Sequence, residues 1–217
     1  MSTPRKIAVL GAGAWGTALA IHLAKVGHQV SLWTHRVEQA EQLIKVKENT
    51  HYLPGIKLPD NLQPTGSLYQ ALSDAEAILL VVPSNAFRET LQLVAKLVDT
   101  AQVHFAWATK GFEPGSQKLL HEVAFEVLGE GARVAVLSGP TFANEVAKGL
   151  PTAMVSASNL ECEAQYWAQQ FHNDAFRMYT QSDMVGVEVG GAYKNIMAIA
   201  TGVSDGLHMG ANARAAL

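Results

Sequence analysis

The sequence predicts an α/β chain, a doubly wound parallel sheet followed by the start of an all-α segment. Three observations carry that expectation. Short apolar runs alternate with helical stretches from Lys6 to about residue 180, and such alternation builds a parallel sheet with helices on both faces. The run Ala77-Ile78-Leu79-Leu80-Val81-Val82 is apolar without a break, as suits a strand covered on both sides. Past Asp183 only helical pattern remains. The expected division is residues 1–180 for the α/β unit and 181–217 for the opening of a helical one.

The elements follow in order. Lys6 to Leu10 reads as a strand, Gly11-Ala12-Gly13-Ala14-Trp15-Gly16 as a turn, and Thr17 to Ala24 as a helix. Strand, G-x-G-x-x-G and helix in that sequence form a dinucleotide-binding fingerprint. Gly11 allows the tight turn, Gly13 lets a pyrophosphate reach the backbone, and Gly16 lets helix and strand close up. The free N–H groups and positive dipole end of the helix then face the phosphates.

Gln29 to Trp33 is the second strand, ending in Thr34-His35-Arg36. NAD sites usually place a carboxylate there for the ribose 2′-hydroxyl; none is present. Arg36 suits a 2′-phosphate and His35 the adenosine end, which tilts the cofactor toward NADP rather than NAD. The competing reading is an Arg36 that merely opens the next helix in solvent. Val37 to Glu48 reads as a polar helix, and Tyr52 to Gly66, with Pro54, Pro59 and Pro64, as an irregular loop. Ser67 is expected to cap a short helix to Leu72.

After the strand at 77–82 the pattern predicts a helix from Ala86 to Val98, a strand from Val103 to Trp107 and a helix from Gln117 to Leu128. Val134 to Leu137 is a strand, with a short helix to Lys148 beyond it. Ala153 to Ser156, a helix from Leu160 to Phe171 and a strand from Phe176 to Thr180 complete the alternation. Polar clusters fall just past the strand ends: the glycine turn, His35 with Arg36, Pro83 to Asn85, Lys110, and Ser138 to Thr141. Open sheets bind ligands beyond the carboxyl ends of their strands, so five clusters on one edge predict a crevice.

From Val185 to Thr201 almost every residue is apolar or small. Val187, Gly191, Lys194, Ala198 and Thr201 form one helical stripe; Val185, Val189, Ala192, Ile196 and Ile199 form another. A helix apolar all round is expected to be buried. Lys194 lies in it with no carboxylate three or four residues away. Burial without a partner lowers a lysine pKa and suits it to proton transfer. The alternative is a lysine that buries its stem and reaches outward.

Composition narrows the field. Of 217 residues, 48% are hydrophobic and 16% charged, with mean hydropathy +0.09, yet no apolar run is long enough to span a bilayer. Met1 to Lys6 has no apolar signal core. A net charge of -3 gives no basic field for nucleic acid. The single cysteine, Cys162, excludes an internal disulfide and fits a reducing, cytoplasmic setting. The histidines are dispersed, without a His-x-x-x-His pair backed by a carboxylate, so no metal is expected.

Four stretches make the chain resemble the NAD(P)-dependent glycerol-3-phosphate dehydrogenases in their bacterial form. They are Gly11 to Ala20, Trp107-Ala108-Thr109-Lys110-Gly111, Ser138-Gly139-Pro140-Thr141-Phe142-Ala143, and Gly190-Gly191-Ala192-Tyr193-Lys194-Asn195-Ile196-Met197-Ala198. The last continues through Gly202, Asp205, Gly206, Gly210 and Asn212 at the family's spacing. The resemblance implies hydride transfer between NAD(P)(H) and a small phosphorylated substrate, sn-glycerol 3-phosphate or dihydroxyacetone phosphate, for glycerophospholipid synthesis. It implies Lys194 as general acid/base and Lys110 as a lysine touching both cofactor and substrate. Gly139 and Thr141 match substrate contacts; Ala14, Trp15, His35 and Ala143 match cofactor contacts; Asn195 would orient the substrate. A homodimer is left open. Tyr193 departs from the family's aliphatic residue. The sequence ends at Leu217 inside what reads as a helix, whereas the family's helical domain continues and brings an Arg-Asn pair for the substrate phosphate. Two alternatives are carried: a hydroxy-acid dehydrogenase on the same architecture, and an NAD(P)-binding module without turnover.

Overall fold

The computed structural model describes residues 3–217, and Asn195 by its backbone alone. Eight strands form one sheet: β1 (Lys6–Leu10), β2 (Gln29–Trp33), β3 (Leu62–Thr65), β4 (Ala77–Leu80), β5 (His104–Trp107), β6 (Val134–Ser138), β7 (Thr152–Ala157) and β8 (Phe176–Gln181). Their order is β3-β2-β1-β4-β5-β6-β7-β8. The helices are α1 (Ala14–Val26), α2 (Val37–Val46), α3 (Leu68–Leu72), α4 (Ser84–Ala95), α5 (Leu120–Leu128), α6 (Ala143–Lys148), α7 (Glu161–Phe171), α8 (Met184–Gly206) and α9 (Gly210–Ala216).

Apolar residues on both faces of the central strands explain the layering. In β1, Ile7 and Val9 point into a core shared with α1, α6 and α7, while Ala8 and Leu10 point into a second core shared with α3, α4 and α5. β4 repeats this, with Leu79 on the first side and Ile78 and Leu80 on the second. Two faces at period two leave no polar position in the middle of the strand. Each fully buried Leu, Ile or Phe contributes about 1.5–3 kcal/mol to this sandwich.

The six strands from β3 to β6 are parallel, as expected, but the sheet is not parallel throughout. β7 runs antiparallel to β6, pairing Leu137 with Ser156, and β8 runs parallel to β7. After β6 the chain enters the short α6, which packs on α1 and does not run back along the strands, so β7 re-enters the sheet from the edge where β6 ended. α7 then carries the chain across to a parallel β8.

A second correction concerns residues 52–66. The expected loop contains β3, which pairs with β2 from Val30–Leu62 to Trp33–Thr65. Pro64 is tolerated because β3 is the outermost strand and its missing N–H faces no neighbour. Ser67 does cap α3, accepting the Gln70 N–H at 3.2 Å.

The third correction is α8. It was expected to be buried all round, yet Val185, Val189, Ile196 and Ile199 are exposed. Among the described side chains Met184, Glu188 and Ser204 are buried, as is Gly191. The helix lies with one face on β6 and β7 and meets α9 farther along. Among the described residues, no further layer covers its other faces. β8 ends at Gln181 and α8 starts at Met184, capped by the Asp183 carboxylate on Gly186 N–H at 2.7 Å.

Candidate active site

The strand order reverses between β1 and β4, so the loops leaving these strands diverge and open a crevice. Backbone hydrogen bonds tie its floor together: Gly11 N–H to Trp33 C=O at 2.9 Å, Val81 N–H to Leu10 C=O at 2.8 Å, and Ala108 N–H to Leu80 C=O at 2.9 Å. The Thr109 hydroxyl adds a bond to Val82 C=O at 2.8 Å. The resulting cleft is about 680 Å³, within the usual range for ligand sites.

The glycine turn forms one wall. Gly11 adopts φ +118°, and a side chain there would run into the Val81 carbonyl. A methyl on Gly16 would collide with the Gly11 carbonyl oxygen, so α1 starts hard against the end of β1. Above Gly13, by contrast, there is no atom within 4 Å of where a Cβ would lie. Gly13 caps α1 with no side-chain hydrogen bond, and the first turn carries no acidic residue. The first N–H groups of α1 thus face open space at the positive end of the helix. Behind the turn, Asn49 is buried and donates to Ala12 C=O at 3.0 Å and to the Thr17 hydroxyl at 2.7 Å. Gln39 donates to the same carbonyl at 2.8 Å.

At one end of the cleft lie His35 and Arg36. Arg36 opens α2, so the solvent reading of the sequence is half right. Its guanidinium also donates to the Tyr52 hydroxyl at 2.8 Å and to Gln39 Oε1 at 3.3 Å. Tyr52 and Gln39 went unnoticed in the sequence. Tyr52 sits in the proline-rich loop, where no periodicity marks it, and Gln39 looked like one more polar residue of α2.

At the other end Lys110, Thr141, Phe142, Ala143 and Lys194 line the same cleft. Lys194 Nζ lies 5.4 Å from the centre of the Phe142 ring, a cation–π distance. Burial, followed by the nearby Lys194 ammonium, holds the Lys110 amine below its ordinary pKa. Gly139 does not line the cleft; a Cβ there would press on Ala153 C=O at 2.8 Å and on Met154, so it lets β6 pass close to β7. The side chain of Asn195 lies outside the described residues. The other cofactor, substrate and catalytic candidates line one cleft, whereas Ser84, Asn85, Ser138 and Pro140 of the strand-end clusters do not.

The lining holds Arg36, Lys110 and Lys194 and, among the described residues, no carboxylate. Such a field attracts anions. Two buried groups of the lining, Trp15 Nε1 and the Thr141 hydroxyl, have no protein partner among the described residues, although buried polar groups normally find one. An open face over Gly13, free helix N–H groups, a guanidinium at one end and two lysines at the other together fit a phosphate-bearing dinucleotide with an anionic substrate beside it.

Comparison with known proteins agrees with that geometry. The family described as NAD-dependent glycerol-3-phosphate dehydrogenase N-terminus matches residues 6–164, and its C-terminus counterpart matches residues 183–217. A glycerol-3-phosphate dehydrogenase [NAD(P)+] of Hydrogenovibrio crunogenus is 62% identical over 99% of this chain and 63% of its own length. The protein of the same name from Xanthomonas euvesicatoria is 53% identical over 98% of this chain and 62% of its own. The crystal structure of glycerol-3-phosphate dehydrogenase from Coxiella burnetii superposes with TM-score 0.91 at 45% identity, covering 98% of this chain and 65% of that one. The chain therefore spans somewhat under two thirds of the relatives it matches.

Proposed function

Because the chain belongs to the NAD-dependent glycerol-3-phosphate dehydrogenase family, we propose that it carries the nucleotide cradle and the proton donor of an oxidoreductase interconverting sn-glycerol 3-phosphate and dihydroxyacetone phosphate. The observation that carries this reading is the meeting of the glycine turn, Lys110 and Lys194 in one cleft lined by cations. Residues 1–180 would form the cofactor domain and 181–217 the start of the substrate domain. Among the described residues no helix is long and apolar enough to cross a membrane, which accords with a cytoplasmic enzyme supplying the glycerol phosphate of phospholipids.

A nicotinamide cofactor, when bound, would supply the hydride chemistry at C2 of the substrate. The free N–H groups of Ala14, Trp15 and Gly16 would hold its pyrophosphate. Arg36, braced by Tyr52 and Gln39, would pair with a 2′-phosphate, with His35 assigned to the adenosine end and Ala143 to the nicotinamide end. This favours NADP over NAD. The Thr141 hydroxyl and the Lys110 amine bind the substrate, with Gly139 shaping the turn that presents Thr141. In reduction Lys194 donates a proton to the oxygen at C2 as negative charge builds there; in oxidation it takes that proton back. Lys110 adds a second positive charge where the alkoxide develops. Asn195, next to Lys194 in α8, is assigned to substrate orientation on the family resemblance.

The test is turnover of dihydroxyacetone phosphate with NADPH by the full-length enzyme and its Lys194→Ala variant. A general acid typically contributes about 10²–10⁴-fold, and a loss of kcat in that range with NADPH affinity unchanged is expected. Normal turnover by the variant would refute the role.

A further inference from the structure

In the sequence Glu188 is one carboxylate in an oily helix. In the fold it is 8% exposed. Its Oε1 accepts the Trp107 Nε1–H at 2.9 Å and the His121 backbone N–H at 3.1 Å, and its Oε2 lies 2.6 Å from His121 Nδ1. A carboxylate carried by α8 is thus fastened to the last residue of β5 and to the first turn of α5. Three donors converge on one buried acceptor, an arrangement with strong geometric demands. The N-terminal end of α5 adds a favourable dipole.

These attachments bear directly on the cleft. Trp107 is three residues before Lys110, and Glu188 is six residues before Lys194. Six residues advance α8 by about 9 Å and turn it through roughly 600°. Gly191 lies midway between them in both height and azimuth. A Cβ on Gly191 would come 2.9 Å from the Ser138 hydroxyl, so α8 rests on the end of β6 there with almost no gap. Glu188 fixes the rotation and axial position of α8; the Gly191–Ser138 approach fixes its distance. With both set, the Lys194 stem leaves the helix toward the cleft. The exposed outer stripe of α8, Val189, Ile196 and Ile199, offers no comparable directional contact among the described residues.

We propose that Glu188 is a positioning residue: through its bonds to Trp107 and His121 it holds the lysine-bearing helix in the register that puts Lys194 over the reacting carbon. This rests on the reading of Lys194 as proton donor. Glu188 does not line the cleft, so its loss acts on the chemical step through Lys194. The nucleotide cradle, built on β1, α1 and β2, is left as it was. Burial, opposed by the His121 and Trp107 bonds, holds the Glu188 carboxyl above its ordinary pKa, which marks how little water reaches it.

The experiment uses full-length enzyme with dihydroxyacetone phosphate, NADPH and NADPH deuterated at the transferred position. Glu188→Gln keeps the shape but turns an amide N–H toward one of the donors. Trp107→Phe removes one donor while keeping an aromatic ring in place. Expected for Glu188→Gln is a loss of kcat of at least tenfold, an unchanged KM for NADPH and a larger deuterium isotope effect on kcat; Trp107→Phe shows the same pattern more weakly. Wild-type kcat in both variants, with Lys194→Ala inactive, overturns the inference while leaving the proton-donor reading intact. A parallel loss of NADPH affinity and kcat in a destabilised protein also overturns it, because the role is then general support. Should Glu188→Gln fail to fold, Trp107→Phe decides alone by the same criteria. Normal turnover by Lys194→Ala sinks the underlying reading and this inference with it.

Discussion

Acidification from pH 7 to pH 5 should weaken the fold through His22. This residue lies on α1, 3% exposed, with its ring 4.2 Å from Phe176 and stacked on Phe171 at 5.8 Å. Nε2 is 2.7 Å from Phe171 C=O, so the neutral ring donates there. Burial outweighs that bond and, with smaller contributions from the nearby Lys25 and His28, pushes the pKa down to about 4 from 6.5. The sign follows from proton counting. Above pH 6.5 His22 is neutral in both states and the stability is complete. Below it the unfolded chain binds a proton that the folded chain refuses until about pH 4, so stability falls with pH across that window. The whole shift corresponds to about 3 kcal/mol, of which about 2 kcal/mol is lost between pH 7 and pH 5.

Urea unfolding at the two pH values measures the loss. His22→Gln, whose amide can still donate to Phe171 C=O, is the control. It is less stable at pH 7 because the stacked ring is gone, but its stability should fall by about 2 kcal/mol less on acidification. His28, whose pKa burial also lowers, acts in the same direction, and Glu188, raised by burial, acts in the other. Both are common to the two proteins and cancel in the comparison. Equal pH dependence in wild type and variant would refute the buried neutral imidazole.

Two further perturbations separate fold from binding at the glycine turn. Gly16→Ala forces its methyl into the Gly11 carbonyl and should cost about 1–3 kcal/mol of stability, read as a lower Tm, along with NADPH binding. Gly13→Ala meets no atom within 4 Å; its Tm should stay near wild type while NADPH affinity, measured by fluorescence titration, drops at least tenfold, and unchanged affinity would show that the ligand does not pass over Gly13. Arg36→Asp replaces the guanidinium proposed for the 2′-phosphate and should lower the NADPH-to-NADH ratio of kcat/KM by about 10–100-fold. Tyr52→Phe, which only unbraces the guanidinium, should lower it less; a ratio that ignores both changes would assign cofactor choice elsewhere.

What the amino-acid sequence determined was everything carried by local pattern. Unbroken apolar runs required strands buried on two faces, the glycine spacing required a tight strand-to-helix turn, and Ser67 marked its helix start. Polar residues just past strand ends announced a crevice, because in a parallel sheet all such ends lie on one edge. Tertiary structure decided what depends on distance between segments far apart in the chain. It reversed β7, because α6 docks on α1 instead of running back along the sheet, and it made a strand of a proline-bearing loop by pairing it with β2. Only the fold could turn one side of α8 to β6 and leave the rest of an oily helix exposed. It also brought Tyr52 to Arg36, and Trp107 and His121 to Glu188. Hydrogen bonds between residues tens of positions apart leave no period in a sequence, so their partners become visible only when the chain has closed on itself.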